Sequence, residues 1–340
     1  MLTIFFGFVT LTIVYYIYWT NKWKDSKFNG VLPPGTMGLP LIGETIQLSR
    51  PSYSLDLHPF IQTKVKRYGP IFKTCLAGRP VVVSADAEFN HYIMLQEGKA
   101  VEMWYLDAFS KFFGLDTEWL KALGLIHKYI RSITLNHYGV ESLRERFLPR
   151  IEESVQETLH YWATQPSVEV KDSAAAVEHE AIRKARVDPD GPITWEEYKS
   201  MTFTHNVISE TLRLGSVTPS LLRKTTKEIQ IKGYTIPEGW TIMLVIASRH
   251  RNPEVYKNPD TFNPWRWKEL DSITIQKNFM PFGGGLRHCA GAEYTKVYLC
   301  TFLHILFTKY RWTKLKGGKI ARALILKFVD GLHVNFTPKE

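Results

Sequence analysis

Cysteine is scarce in this 340-residue chain: Cys75, Cys289 and Cys300 are all there is, and they are widely spaced. So few, so scattered, exclude a disulfide framework and point to a reducing compartment. Repeats and low-complexity tracts are also missing, and 44% hydrophobic with 22% charged residues is ordinary globular composition, enough for one large domain or two smaller ones. The formal charge of +10 is not interleaved with any nucleic-acid motif, so no nucleic-acid partner is expected. Many basic residues fall late, at Lys309, Arg311, Lys314, Lys316, Lys319, Arg322 and Lys327. They read as solvated surface, or as a face for an anionic membrane or an acidic protein. The Glu178-His179-Glu180 cluster lacks the second histidine that a zinc-binding His-Glu-x-x-His helix needs, so it reads as a solvated face.

The first charge-free stretch is itself informative. Leu2 to Thr20 carries no charged residue and is long enough to cross a bilayer as a helix. Tyr15, Tyr16, Tyr18 and Trp19 resemble an interfacial aromatic belt, and Lys22, Lys24 and Lys27 follow. A cleaved signal peptide would need a basic leader and a small-x-small site, and neither is present. The expectation is a retained single-pass anchor over 1–21, with the body of the protein in the cytosol. A basic, Pro/Gly-rich hinge over 22–43 comes next, where Leu32 to Gly43 forms a stiff elbow, and residues 44–340 make up the remainder.

Alternation predicts strands at Ile71–Leu76 and Val81–Ser84, joined by Ala77-Gly78-Arg79-Pro80. Residues 117–162 are largely helical in pattern, with His127 and Arg131 four apart on one face and an amphipathic helix from Arg144 to Trp162. A short strand is expected at Ser167–Asp172 and a charged helix from Ala174, stopped by Asp188-Pro189-Asp190-Gly191-Pro192. One helix is expected over Thr194–Leu214, with Glu210 and Arg213 side by side at i, i+3. Strands follow at Leu222–Thr225 and around a Gly/Pro turn between Ile229 and Ile242. A helix is expected from Ala292 to Tyr310, and a last strand or hairpin from Phe328 to Phe336.

The chemistry concentrates in Pro281-Phe282-Gly283-Gly284-Gly285-Leu286-Arg287-His288-Cys289-Ala290-Gly291. Glycines around a cysteine let the backbone approach something flat and aim amides at the sulfur, while Arg287 favours thiolate over thiol. Such a thiolate is a nucleophile or a metal ligand; the plainer reading is a tight turn around a buried cysteine. Phe282, Gly285, Arg287, Cys289 and Gly291 fit the Phe-x-x-Gly-x-Arg-x-Cys-x-Gly loop of the cytochrome P-450 family, which this chain resembles.

The resemblance implies that family's mixed fold, mainly α with a smaller β-rich lobe, and haem b bound through Cys289. A cysteine ligand pushes electron density onto iron and suits oxygen activation. It implies monooxygenation of an apolar substrate, with electrons from NADPH through a flavoprotein reductase. Residence in the endoplasmic reticulum membrane follows, and plant members acting on triterpenes, steroids and related isoprenoids are the most similar. Arg131, Arg223, Arg287 and His127, which stands where a tryptophan is commoner, would hold the haem propionates. Asn258 to Trp267 resembles the family's Pro-x-x-Phe-x-Pro-x-Arg-Trp segment, whose Arg266 would complete a structural triad with Glu210 and Arg213.

One family feature has no convincing copy: the apolar helix whose acid and alcohol relay protons on the distal side of the haem. Gly114-Leu115-Asp116-Thr117 has the spacing but precedes the propionate helix, so no catalytic residue is assigned. The order of motifs jumps near Ala174–Val177, where an internal deletion is expected. The alternative to an active enzyme is therefore a membrane-tethered, truncated form that binds haem weakly or not at all.

Overall fold

The computed structural model describes residues 2–23, 30–104, 129, 131–137, 139–164, 191–322 and 326–339. Helix α1 runs Leu2–Lys22. Its aromatic end differs from a simple interfacial belt: Tyr15, Tyr16 and Tyr18 are exposed, whereas Trp19 is buried with Trp23. The two indoles meet edge to face, and Trp23 packs the same way on Trp240 of the sheet lobe. Burying large rings outweighs leaving them at an interface when a protein surface is within reach. Among the described residues, no helix is long and apolar enough to cross a membrane.

The elbow is held by a buried carboxylate. Glu44 accepts from Thr36 Oγ1 at 2.9 Å and Thr74 Oγ1 at 2.6 Å and pairs with Lys64 of α2 (Pro59–Tyr68). The predicted hairpin forms as β1 (Ile71–Leu76) and β2 (Arg79–Ser84), paired from Ile71↔Ser84 to Leu76↔Arg79. Helix α3 (Ala87–Leu95) follows, capped by Asp86, which accepts from Phe89 N–H at 2.7 Å, and then β3 (Val101–Met103).

Helix α4 spans Leu148–Ala163, preceded by a π-helical turn at Leu143–Phe147. Leu148, Ile151, Val155 and Leu159 recur at helical spacing and are buried, so its apolar stripe faces a helical core. The single helix expected over Thr194–Leu214 is two: α5 (Trp195–Ser200), opened by a Thr194/Glu197 capping box, and α6 (Thr202–Gly215). The break is at Met201, whose ψ of 53° is not helical and whose side chain is fully buried. Apolar burial there offsets the lost helical turn.

Strands β4 (Ser220–Thr225), β5 (Ile229–Ile231), β6 (Tyr234–Ile236) and β7 (Thr241–Val245) come next. The main sheet has the order β1-β2-β7-β4-β3, with β2 and β7 parallel and every other pair antiparallel. Helix α7 (Ala292–Lys309) leads into β8 (Tyr310–Gly317), β9 (Ile320–Arg322), β10 (Leu326–Phe328) and β11 (Leu332–Pro338). The stretch Phe328–Phe336, expected as a last strand or hairpin, supplies the strand β11 but no hairpin of its own. Phe328 pairs with Ile320, and Phe336 pairs with Trp312. Val334 and Phe336 are thereby buried against α4 and α7 in the helical core. The cysteines Cys75 and Cys300 are buried, and burial pushes the Cys75 thiol up to about 11, so both act as packing residues.

A second buried carboxylate ties α6 to the later segments. Glu210 accepts from Arg213 Nε at 2.9 Å and Nη2 at 2.8 Å, from Arg266 Nε at 3.0 Å, from Trp267 Nε1 at 3.2 Å and from Asn263 N–H at 2.9 Å. Arg213 Nη1 also donates to the carbonyls of His250 and Pro259, each at 2.7 Å. Met280 N–H donates to His250 Nε2 at 3.0 Å, which makes Nδ1 the protonated nitrogen; it donates to Ser216 Oγ at 3.1 Å. This histidine thus joins the end of α6 to the residue that precedes Pro281.

Removal of the Arg266 guanidinium leaves Glu210 short of a partner in a dry interior, so Arg266→Ala is expected to cost roughly 3–5 kcal/mol in urea denaturation. The His250 ring is driven down to about 3, by burial first and then by Arg213, Arg249 and Arg251. An unfolded histidine protonates near 6.5, so the unfolded chain binds the extra proton between those values and stability falls as pH drops through that window. Urea midpoints should decline from pH 6.5 toward pH 4, and His250→Asn should flatten that decline while lowering the neutral-pH midpoint.

Candidate functional site

Cys289 is held by a loop closed on itself. Its N–H donates to Phe282 O at 3.0 Å, and His288 N–H donates to Gly285 O at 3.1 Å across a short turn of 3-10 helix, Gly285–Arg287. Gly285 has φ of 64°, and a Cβ there would stand 2.8 Å from the Met94 carbonyl oxygen. Only glycine lets the loop lie this close to the end of α3. On the other side the loop runs directly into α7, where Thr295 N–H donates to Gly291 O at 2.9 Å. A Cβ on Gly291 would be 3.9 Å from Cys289 Sγ, an ordinary contact. Cys289 is exposed, unlike the other two cysteines, which is the opposite of the plain buried-cysteine turn.

Three of the four residues expected to hold a propionate are described, and two of them converge. Arg131 Nε donates to His288 O at 3.2 Å, one residue from Cys289. The His288 ring is held below its usual range by burial, then by Arg131 and Lys296. Arg223 on β4 and Arg287 in the loop meet on one carboxylate, Glu97, which follows α3. Arg287 Nε donates to Glu97 Oε1 at 2.9 Å, and Arg223 Nε lies 2.7 Å from Oε2 as an ion pair without hydrogen-bond alignment. Arg287 is therefore not a bare charge beside the sulfur; part of its charge is met by Glu97. Its Nη1 is buried and has no hydrogen-bond partner among the described residues. His127, the Gly114–Thr117 match, the Glu178–Glu180 cluster and the Ala174–Val177 seam lie outside the described residues.

Glu97 is the residue that sequence reasoning missed. It lies in a tight turn, where Gly98 N–H donates to Val101 O at 2.8 Å and Met103 N–H donates to Glu97 Oε1 at 3.2 Å. The turn delivers β3 to β4 with Met103 opposite Arg223. The available signal was slight: a glutamate before glycine between a helix and a strand. Among the described residues, no group of three or more His, Cys, Asp or Glu side chains could hold a metal ion.

Residues 171–330 match the family model for cytochrome P450. The chain is 59% identical over 473 residues to cucurbitadienol 11-hydroxylase of Siraitia grosvenorii, covering 100% of each. It is 36% identical over 466 residues to beta-amyrin 16-alpha-hydroxylase CYP87D16 of Maesa lanceolata, covering 98% of each. A solved structure, the retinoic acid bound cyanobacterial CYP120A1, superposes with a TM-score of 0.71 over 92% of this chain and 100% of its own, at 19% identity, a likeness of fold. Identity of this order along the whole chain, with a family match that runs through the Cys289 loop, makes the protein a member of the cytochrome P450 family, monooxygenases that use haem iron and take electrons from NADPH through a reductase.

Proposed function

We propose that the chain is a haem-thiolate monooxygenase of the endoplasmic reticulum membrane, with Cys289 as the residue that would hold the haem iron and a triterpenoid or steroid-like isoprenoid as substrate. The observation that carries this reading is the exposed Cys289 thiol in a self-closed glycine loop, with Arg131 bonded to the adjoining residue and Arg287 in the same loop. The substrate class draws support from two relatives whose names carry cucurbitadienol and beta-amyrin. The residues fit haem. Two guanidinium groups share one carboxylate in a buried cluster, leaving a positive surplus and an unpartnered Arg287 Nη1, which suits the carboxylates of a haem edge.

When bound, the haem supplies oxygen activation, so that one atom of O2 enters the substrate. The chain's part is to hold and orient. Cys289, whose thiol is exposed, would hold the haem iron through its sulfur. Arg131 fixes the peptide beside Cys289 through His288 O, Gly285 seats the loop on α3, and His250 braces its entry at Met280. Arg223 and Arg287, with Arg131 and His127, are the residues proposed to hold the propionates. Membrane attachment through 1–21 is supported by the exposed apolar side chains of α1, including Phe6, Leu11, Ile13, Val14 and Ile17.

A second reading, an internally shortened form with weak haem binding and no turnover, is favoured by two observations. The sequence has no convincing distal acid–alcohol helix, and the alignment with the Siraitia relative extends over 473 residues against 340 here.

The reduced, CO-bound full-length protein should show the absorption band of a thiolate-ligated haem, and Cys289→Ala should abolish it; a parent chain without that band would sink the haem-thiolate assignment. With reductase and a triterpenoid alcohol, oxygenated product should accumulate in proportion to NADPH consumed. Absence of both consumption and product selects the shortened form instead, and consumption without product shows haem that is held but uncoupled from oxygenation.

A further inference from the structure

We propose that Glu97 is a positioning residue for the haem carboxylates: it grips Arg223 and Arg287 from one side so that the remaining donors of the loop arginine are presented to an anion. The proposal rests on the haem-thiolate reading above and goes beyond it, because Glu97 belongs to none of the motifs that carry that reading.

The argument begins with charge. Glu97, Arg223 and Arg287 have side chains 5%, 4% and 10% exposed, so two cations and one anion share a nearly dry site. A buried surplus of positive charge is costly unless an anion or further acceptors meet it. Arg223 Nη1 finds the Leu222 carbonyl at 2.8 Å. Arg287 Nη1 finds none among the described residues, although it is buried. An unpartnered guanidinium nitrogen beside a charge surplus is a site for a carboxylate or phosphate. Because Glu97 takes Arg287 through Nε, the Nη edge stays available rather than being consumed in a two-pronged pair.

Position supports the same conclusion. The end of α3 does two things within a few residues: Met94 O is the seat that Gly285 of the loop approaches, and Glu97 then meets Arg287 two residues beyond Gly285. The turn after α3 is clamped by Ala100 N–H on Gln96 O at 3.0 Å and Gly98 N–H on Val101 O at 2.8 Å. Bridging from this rigid turn to β4 and to the Cys289 loop, Glu97 aligns two arginines that lie far apart in sequence. The donor left over, Arg287 Nη1, lies in the loop that bears Cys289.

The test uses the full-length haem-loaded protein. Haem loss is followed by transfer to excess apomyoglobin, alongside the iron reduction potential and the urea midpoint. Glu97→Gln keeps shape but loses charge, and is expected to release haem about tenfold faster and to shift the potential upward, since a nearby negative charge is gone. Glu97→Asp, which keeps the charge with a shorter reach, should restore most of the haem retention, and it is the variant that decides the matter if the glutamine protein fails to fold. Parental release rate and potential in the folded glutamine variant, or haem release from the aspartate variant about tenfold faster than from the parent, overturn the role of Glu97 while leaving the haem reading intact. A parent protein that never acquires the thiolate-ligated spectrum overturns both.

Discussion

The fold turns on one carboxylate that has no access to water. Glu210 is fully buried between Arg213 and Arg266, and every nitrogen of those two guanidinium groups reaches either Glu210 or a backbone carbonyl. Charges buried in this way are tolerated only when their partners are all present and well aligned. The network therefore acts as a lock with no half-closed state. From it a line of bonds leads to the functional loop: Arg213 to the His250 carbonyl, His250 to Met280, and Met280 into the segment that bears Cys289. The location of the sulfur is set by groups that never touch it.

Glu97 shows the same chemistry left unfinished. Each of the two carboxylates is shared by two arginines, but the nitrogens around Glu210 are all spoken for, whereas Arg287 beside Glu97 keeps a buried donor without an acceptor. A closed cluster has no donor to spare, while an open one keeps one. Residue identity alone does not show this difference, since glutamate and arginine serve in both.

Local patterns carried much of this into the sequence. The β1–β2 hairpin, the i, i+3 spacing of Glu210 and Arg213, and the glycine-framed Cys289 are all short-range features, and short-range features are what periodicity and turn chemistry report. What escaped depended on distance or on a single torsion. The helix break at Met201 is one ψ angle, invisible to a 3.6-residue repeat that continues in register on both sides. Trp19 looked interfacial because nothing near it in sequence announces Trp240, the sheet residue that its neighbour Trp23 packs against. The C-terminal strands pair with Trp312 and Ile320 rather than with each other, a choice made by tertiary packing on α4 and α7. Glu97 needed both β3–β4 register and the approach of a distant loop before its partners could be known.

The parallel contact between β2 and β7 has a consequence for how the molecule is made. The β1–β2 hairpin closes locally as soon as it emerges from the ribosome, yet the hydrogen-bonding edge of β2 is covered only by Val81↔Thr241 to Ser84↔Leu244, contributed far along the chain. Until that segment is synthesised, an apolar strand edge of Val81, Val82 and Val83 stands open to any neighbouring chain. Non-local pairings of this kind pay their loop-closure entropy late and fold slowly. In the nascent protein the most regular element is thus paired on one side only until β7 has been made.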